Sequence, residues 1–376
     1  MVKNLVSKKG FISFFSSLFA ILVGLIVGLI ILLISNPSHA FKGFFTILIG
    51  GLSDMKNIGQ VLYYATPLIM TGLSVGFGKK TGLFNIGASG QFIIGAFAAV
   101  FIGIKITNLP GYIHLPLCLI AAMVFGAIWG FVPGILKAKA NVNEVISCIM
   151  MNYIGMYLVN FLVKEYIFDS LKNQSQRIAD TATLPQFGLD KIFNTGNSAS
   201  SVTIGIFLCI LIAILLYILL NKTTFGFELK ACGLNKYASQ YAGINENRNI
   251  VLSMMISGAL AGIGGAFLYL AGTGKGIEVV DVLAPEGFQG IPVALLGMNN
   301  PIGIIFSGLL ISYLKVGGFM MQLHNFSPEV IDIIIAIIIY FSAFSLLVKL
   351  FLTKKFSSDD KDIYNKNSLK KKEVKQ

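Results

Sequence analysis

The segment Gly82-Leu83-Phe84-Asn85-Ile86-Gly87-Ala88-Ser89-Gly90-Gln91 sets two side-chain amides and three glycines at the mouth of a long apolar run. A plain membrane-spanning helix carries Leu and Ile in such a place, so this composition predicts backbone that leaves the helical ladder. Backbone of that kind is tolerated at membrane depth only where protein covers it or a water-filled cavity reaches it. The chemistry to expect is the passage of a solute. Asn85, Gln91, Asn152 and Gln289 offer neutral donors and acceptors suited to brief contact with an uncharged polar molecule, and weak contact favours release. The competing reading is that the glycines only let helices approach closely.

Other chemistries have no visible apparatus. The chain holds no H-E-x-x-H, no G-x-S-x-G and no paired carboxylates inside an apolar run, and His39, His114 and His324 fall near the ends of such runs. Cys118, Cys148 and Cys209 lie within apolar runs and Cys232 in a basic loop, without a C-x-x-C spacing. They read as packing residues, with no metal site, disulfide framework or cofactor implied. Gly76-Phe77-Gly78-Lys79-Lys80-Thr81 and Gly274-Lys275-Gly276 both miss the phosphate-binding pattern G-x-x-x-x-G-K-[ST], because neither Lys79 nor Lys275 precedes Ser or Thr. Any ATP hydrolysis therefore belongs to another polypeptide. Acidic residues are missing from the middle of the apolar runs, with Glu144, Glu329 and Asp332 at their ends, so a proton or sodium relay is not indicated. Lys315 is the one charge near a run's interior and reads as the structural partner of a carboxylate such as Asp332 ahead of a substrate contact. The chain is expected to be a transport component and not an enzyme.

The elements that must position these residues are membrane spans. Of 376 residues, 55% are apolar and 12% charged, and single runs extend from Phe11 to Ile34, long enough to cross a hydrocarbon core. The expected fold is all-α and polytopic. Ten candidate spans follow, at 11–34, 57–78, 81–104, 112–135, 144–163, 202–220, 251–273, 284–298, 301–319 and 329–352, those at 81–104 and 284–298 being irregular or broken. Lys3, Lys8 and Lys9 before the first run resemble a signal peptide, but the apolar stretch is about twice the usual ~7–15 residues and reads as an uncleaved span. The short segment Phe41 to Leu52 is expected at the interface. The net charge of +12 is clustered beside apolar runs, which speaks for orientation and against nucleic-acid binding. Lys79, Lys80, Lys137, Lys139, Lys222, Lys230, Lys236, Arg248 and the tail from Lys354 then share one side with the N-terminus, the cytoplasmic side by the positive-inside rule. The expected organisation is a cytoplasmic N-terminus 1–10, a transmembrane permease domain 11–352 with a polar external loop 164–200 and a cytoplasmic loop 221–249, and a disordered cytoplasmic tail 353–376 whose lysines meet anionic lipid. The external loop is either a partner's contact or only a solvated connector.

Within the loop 221–249, Asn235 is placed to cap a short helix bearing Tyr237 and Tyr241 one turn apart, and Gly243 to end it. Such a helix suits the groove of a soluble partner; a plain connector resting on headgroups is the other reading. Gly82-Leu83-Phe84 and Gly287-Phe288-Gln289-Gly290-Ile291-Pro292 open the two irregular spans, and interrupted segments at corresponding places in two halves point to a substrate path.

These segments, with Asn143-Glu144-Val145-Ile146, Met151-Asn152-Tyr153-Ile154, the stretch Gly226 to Ile244, Ser257-Gly258-Ala259-Leu260-Ala261-Gly262 and Val293-Ala294-Leu295-Leu296-Gly297 before Asn300-Pro301, resemble in order the permease subunits of bacterial ABC importers. More narrowly, the chain looks like the nucleoside-type permeases related to those for simple sugars and branched-chain amino acids. The resemblance implies a multi-pass protein of the bacterial cytoplasmic membrane that works with an ATP-binding subunit, a second related permease and an extracytoplasmic substrate-binding lipoprotein delivering a nucleoside. It implies a substrate path near Asn85, Gly87, Gly90, Gln91, Asn152, Gly287, Gln289 and Gly290, and ATPase coupling through Gly226, Glu228, Gly233, Asn235, Tyr241 and Gly243. Ala88-Ser89 departs from the family pattern, which has an acidic residue before the glycine. Import of sugars or branched-chain amino acids, an ATP-independent carrier and a membrane scaffold remain as alternatives.

Overall fold

A computed structural model describes residues 9–196 and 198–343. Most of the expected N-terminal segment 1–10, the end of the last span and the tail 353–376 lie outside the described residues. The helices are α1 (Lys9–Ser35), α2 (Ala40–Ile49), α3 (Met55–Lys80), α4 (Ala88–Lys105), α5 (Gly111–Ala140), α6 (Glu144–Tyr166), α7 (Leu189–Ile192), α8 (Gly205–Lys222), α9 (Thr224–Leu234), α10 (Lys236–Tyr241), α11 (Glu246–Tyr269), α12 (Pro285–Leu296), α13 (Pro301–Met321) and α14 (Pro328–Ala343). Two compact units are present, residues 47–317 forming one and the two chain ends the other. In the latter, α1 packs on α14, where a Cβ at Gly28 would lie 3.0 Å from Ile334.

Among the described residues, seven helices are long and apolar enough to cross a membrane: α3, α4, α5, α6, α8, α11 and α13 with its closing 3-10 turn. Of the ten expected spans, 11–34, 284–298 and 329–352 are not among these seven, and two of the ten are cut short in an informative way. The run 81–104 is helical only from Ala88, and 284–298 reduces to the 12-residue α12, about 18 Å long at 1.5 Å per residue. Apolar composition continues through both segments, but glycines and Asn85 at the first, and Asn299-Asn300 after the second, interrupt the ladder. The loop 164–200 is not structureless. It holds two antiparallel strand pairs, Phe168–Asp169 with Gln174–Ser175 and Asn194–Thr195 with Ser198–Ala199, and residues 173–175 bond in turn to 277–279.

The core of the larger unit is α3, 89% buried over its most apolar window, surrounded by α4, α8, α11 and α12. Side α5 lies along α11 with almost no space between the backbones. A Cβ at Gly134 would stand 3.0 Å from Met254 Cβ, and Gly126 and Gly130 meet the backbone of Gly258 and Met254 still more closely. Small residues at four-residue spacing permit this, since dispersion and close approach replace the hydrophobic drive that lipid cannot supply. Asn143, Thr223, Asn235 and Asn245 each cap a helix start by accepting a backbone N–H, at 2.9, 3.0, 3.1 and 3.1 Å, satisfying donors that the first turn leaves open. Lys79, Lys80, Lys137, Lys139, α9, α10 and the start of α11 fall at one end of this unit, linked by the Lys137–Glu144 ion pair at 3.0 Å and the Lys236–Glu246 pair at 3.2 Å; this is called the lysine-rich end below.

Candidate functional site

The irregular stretch 82–87 is held by a closed set of amide bonds. Asn85 Nδ2 donates to Gln91 Oε1 at 2.8 Å and to Ser74 Oγ at 3.1 Å, while Gln91 Nε2 donates back to Asn85 Oδ1 at 3.2 Å. Gly87 N donates to Asn85 Oδ1 at 3.2 Å, Gly90 N to Asn152 Oδ1 at 2.8 Å, and Asn152 Nδ2 to the Ile86 carbonyl at 3.0 Å. The side chains of Asn85 and Asn152 thus satisfy backbone groups that the missing turn of helix exposes, and Gln91 holds the Asn85 amide in place. All three residues are at most 1% exposed. The structure therefore puts these amides inside the protein, as fasteners of the break, and none lines either of the two cavities described below.

The two irregular openings meet. The start of α12 abuts the start of α4, with Ser89 Oγ donating to the Ala284 carbonyl at 2.8 Å. A Cβ on Gly287 would stand 2.5 Å from Ser89 N, and one on Gly290 2.6 Å from the carbonyl carbon of Thr71. These glycines are required by close approach. Two helix N-termini with their positive dipole ends converge here, and Glu286 in the first turn of α12 supplies the complementary charge. Gln289 meets a cation, as Lys315 Nζ lies 3.5 Å from Gln289 Oε1 and 5.4 Å from the Tyr64 ring centroid.

Beside this junction is a cavity of about 430 Å³, lined by Ser89 and Ile93 of α4, Met156 and Asn160 of α6, Tyr269 and the segment 275–286. A second cavity of about 290 Å³ lies toward the end opposite the lysines and is lined by residues of 175–186 with Tyr269 and 271–276. Sequence reasoning singled out Ser89 as a departure but missed Asn160, Tyr269, Lys275 and Glu286. The available signal was Glu286, a carboxylate opening an apolar run, together with Lys315.

At the lysine-rich end the coupling candidates sit on α9 and α10. Gly233 packs on the stretch just before the amide-fastened break, where a Cβ would lie 2.6 Å from both Gly82 N and the carbonyl carbon of Thr81. Gly226 rests against the backbone of Leu219 and Leu220, and Glu228 accepts from Asn249 Nδ2 at 3.4 Å. Asn235 caps α10, and Gly243 takes φ +79° directly after it. Phe227, Leu234, Tyr237 and Tyr241 are exposed there. The structure brings Gly233 against Gly82 at the start of the irregular stretch; Tyr241 and Gly243 stay at the surface.

No group of His, Cys, Asp and Glu among the described residues is placed to hold a metal ion. His114 is buried and bonds to Thr181 Oγ1 at 2.8 Å. The arrangement offers enclosed volume beside a tight junction of two helix starts. Removing one amide has a definite cost: Asn85→Leu strands the Gln91 amide, which should destabilise by ~1–3 kcal/mol. The double variant Asn85→Leu with Gln91→Met should lose less than the two single losses added. Denaturation of the detergent-purified variants measures this, and additive losses contradict the pairing.

A family model described as the branched-chain amino acid transport system permease component matches residues 57–343. The chain is 41% identical to the guanosine ABC transporter permease protein NupP of Bacillus subtilis, over 86% of this chain and 91% of that protein. It is 38% identical to the nucleoside ABC transporter permease protein NupB of Lactococcus lactis, over 83% and 86% of the two chains. Identity to the glucose ABC transporter permease protein TsgB13 of Haloferax volcanii is 33%, over 77% of each. No solved structure matches.

Proposed function

Since the chain belongs to the family of branched-chain amino acid transport system permease components, we propose that it is the membrane-spanning subunit of an ABC importer that carries nucleosides across the bacterial cytoplasmic membrane. ATP is hydrolysed by a separate subunit. The observation that carries this reading is the likeness, along most of the chain, to permeases named for guanosine and for nucleosides. Import of a simple sugar is the second reading, favoured by the glucose permease at lower identity.

In this proposal the lysine-rich end faces the cytoplasm and the chain crosses the membrane ten times. The eighth crossing combines the extended segment 270–284 with the half-length α12. The loop 164–200 is external, 221–249 is the cytoplasmic coupling loop, and both termini are cytoplasmic. Gly287 allows the two helix starts to meet, Gly90 brings α4 onto α6, Gly290 brings α12 onto α3 and Gly87 packs on Cys148, while Asn85, Gln91 and Asn152 hold the path's shape from behind and Gln289 positions Lys315. Gly226, Glu228, Gly233, Asn235, Tyr241 and Gly243 belong to the surface that meets the ATP-binding subunit. A second related permease completes the path, and an extracytoplasmic lipoprotein delivers the solute. The cavity beside the junction is lined mostly by uncharged residues, with Lys275, Glu278 and Glu286 as its charges; weak contacts suit transit, because tight binding in the path would trap the solute.

Labelled guanosine uptake in a host lacking this gene, with and without the gene restored, tests the substrate class. Uptake is expected to return with the gene and to be competed by other nucleosides but not by glucose or leucine. Competition by glucose in place of nucleosides would move the assignment to sugars.

A further inference from the structure

The two cavities share three wall residues, Tyr269, Lys275 and Gly276. One cavity opens among residues of the loop 164–200 and the other reaches Ser89 at the helix junction, so whatever moves between them must pass this partition. Tyr269 ends α11, and Lys275 and Gly276 belong to the segment 270–284, which has no helix and carries left-handed glycines at Gly272 (φ 72°) and Gly274 (φ 74°). Beyond them the segment is tied down along its length. Val279 N donates to the Asn173 carbonyl at 3.1 Å and Asn160 Nδ2 to the Val280 carbonyl at 2.9 Å, with the Ser89–Ala284 bond at its end.

Lys275 stands where the glycine-rich stretch gives way to the tethered one. Its Nζ lies 3.6 Å from Glu286 Oε1 and 5.7 Å from the Tyr269 ring centroid. Glu286 is 15% exposed and Lys275 40% exposed, so the carboxylate faces into the protein while the ammonium comes from the open side. The pair joins the partition directly to the first turn of α12, whose N-terminus favours a carboxylate but gains nothing from the lysine. The lysine is therefore held by the carboxylate and the ring, and the glycines before it supply the freedom to swing away.

We propose that the Lys275–Glu286 pair, backed by Tyr269, is the latch of an external gate between the entry pocket and the inner chamber. This rests on the transport reading and on the orientation given above. Closed, the pair neutralises two of the three charges that line the chamber, Glu278 being the third. Because the pair is partly exposed, its contribution to closure is modest, as a gate that must open in each cycle requires.

The test is the rate at which a membrane-impermeant thiol reagent, added outside intact cells expressing the complete importer, modifies Ile93→Cys on the inner chamber wall. Lys275→Met and Glu286→Gln should each raise that rate about fivefold, the scale of a partly exposed ion pair. The double variant should show no more than either single change, and Lys275→Arg should leave the rate at the parent value. Equal rates in all backgrounds, independent additive increases, or no labelling in any background would overturn the latch. Labelling requires no transport, so normal gating with no nucleoside uptake would instead remove the substrate assignment.

Discussion

A Gly287→Val chain is expected to reach the membrane in normal amount and to lose at least about tenfold in uptake. The reason is local. At position 287 a Cβ would stand 2.5 Å from Ser89 N and 2.9 Å from the carbonyl carbon of Ala88, and these are backbone atoms of a helix start that cannot rotate aside. Overpacking of this kind costs typically ~1–3 kcal/mol, and where the strain falls on the working junction, ~1.4 kcal/mol corresponds to a tenfold rate. Moving α12 off α4 also breaks the Ser89–Ala284 hydrogen bond and reshapes the chamber that Ser89 lines. Insertion depends on the apolar content of the long helices, which the change leaves alone. Immunoblotting of membranes beside labelled guanosine uptake checks both halves, and uptake above half of the parent value would contradict the tight junction.

The second large effect concerns Gly233. Valine there is expected to reduce both uptake and co-purification of the ATP-binding subunit to a small fraction, because its Cβ would lie 2.6 Å from Gly82 N and its added methyl groups closer still. Gly82 itself has φ +81°, so the contacted turn has little room to relax. Gly243→Ala offers a graded comparison. No atom lies within 4 Å of that position, and the cost is confined to the left-handed conformation, ~1–2 kcal/mol. It should weaken the complex without abolishing it. Full ATPase association by Gly233→Val would remove α9 from the coupling surface.

Much of this architecture was legible before the coordinates. Hydropathy located the helices, since a long apolar run has few alternatives in lipid. Local rules located the cap at Asn235 and the turn at Gly243, because each depends only on neighbouring residues. The openings at Gly82-Leu83-Phe84 and at Gly287 to Pro292 were visible as interruptions of the apolar pattern. Three things were not legible. An amide in an apolar run announces a polar partner without saying whether that partner is solute or protein, and for Asn85, Gln91 and Asn152 it is protein. The close contact of α12 with the start of α4 was hidden, because nothing in the local sequence of either opening names the other as its partner. The segment 270–284 has no periodicity to read, so Lys275 and Glu286, eleven positions apart in the chain, gave no sign of meeting across a cavity wall.

The most direct test is nucleoside accumulation in sealed vesicles containing this chain alone or the complete importer with ATP. The complete importer should raise the internal concentration above the external one and stop when ATP is withheld, whereas the chain alone should never pass equilibrium. Concentrative uptake by the chain alone would contradict the account at its root.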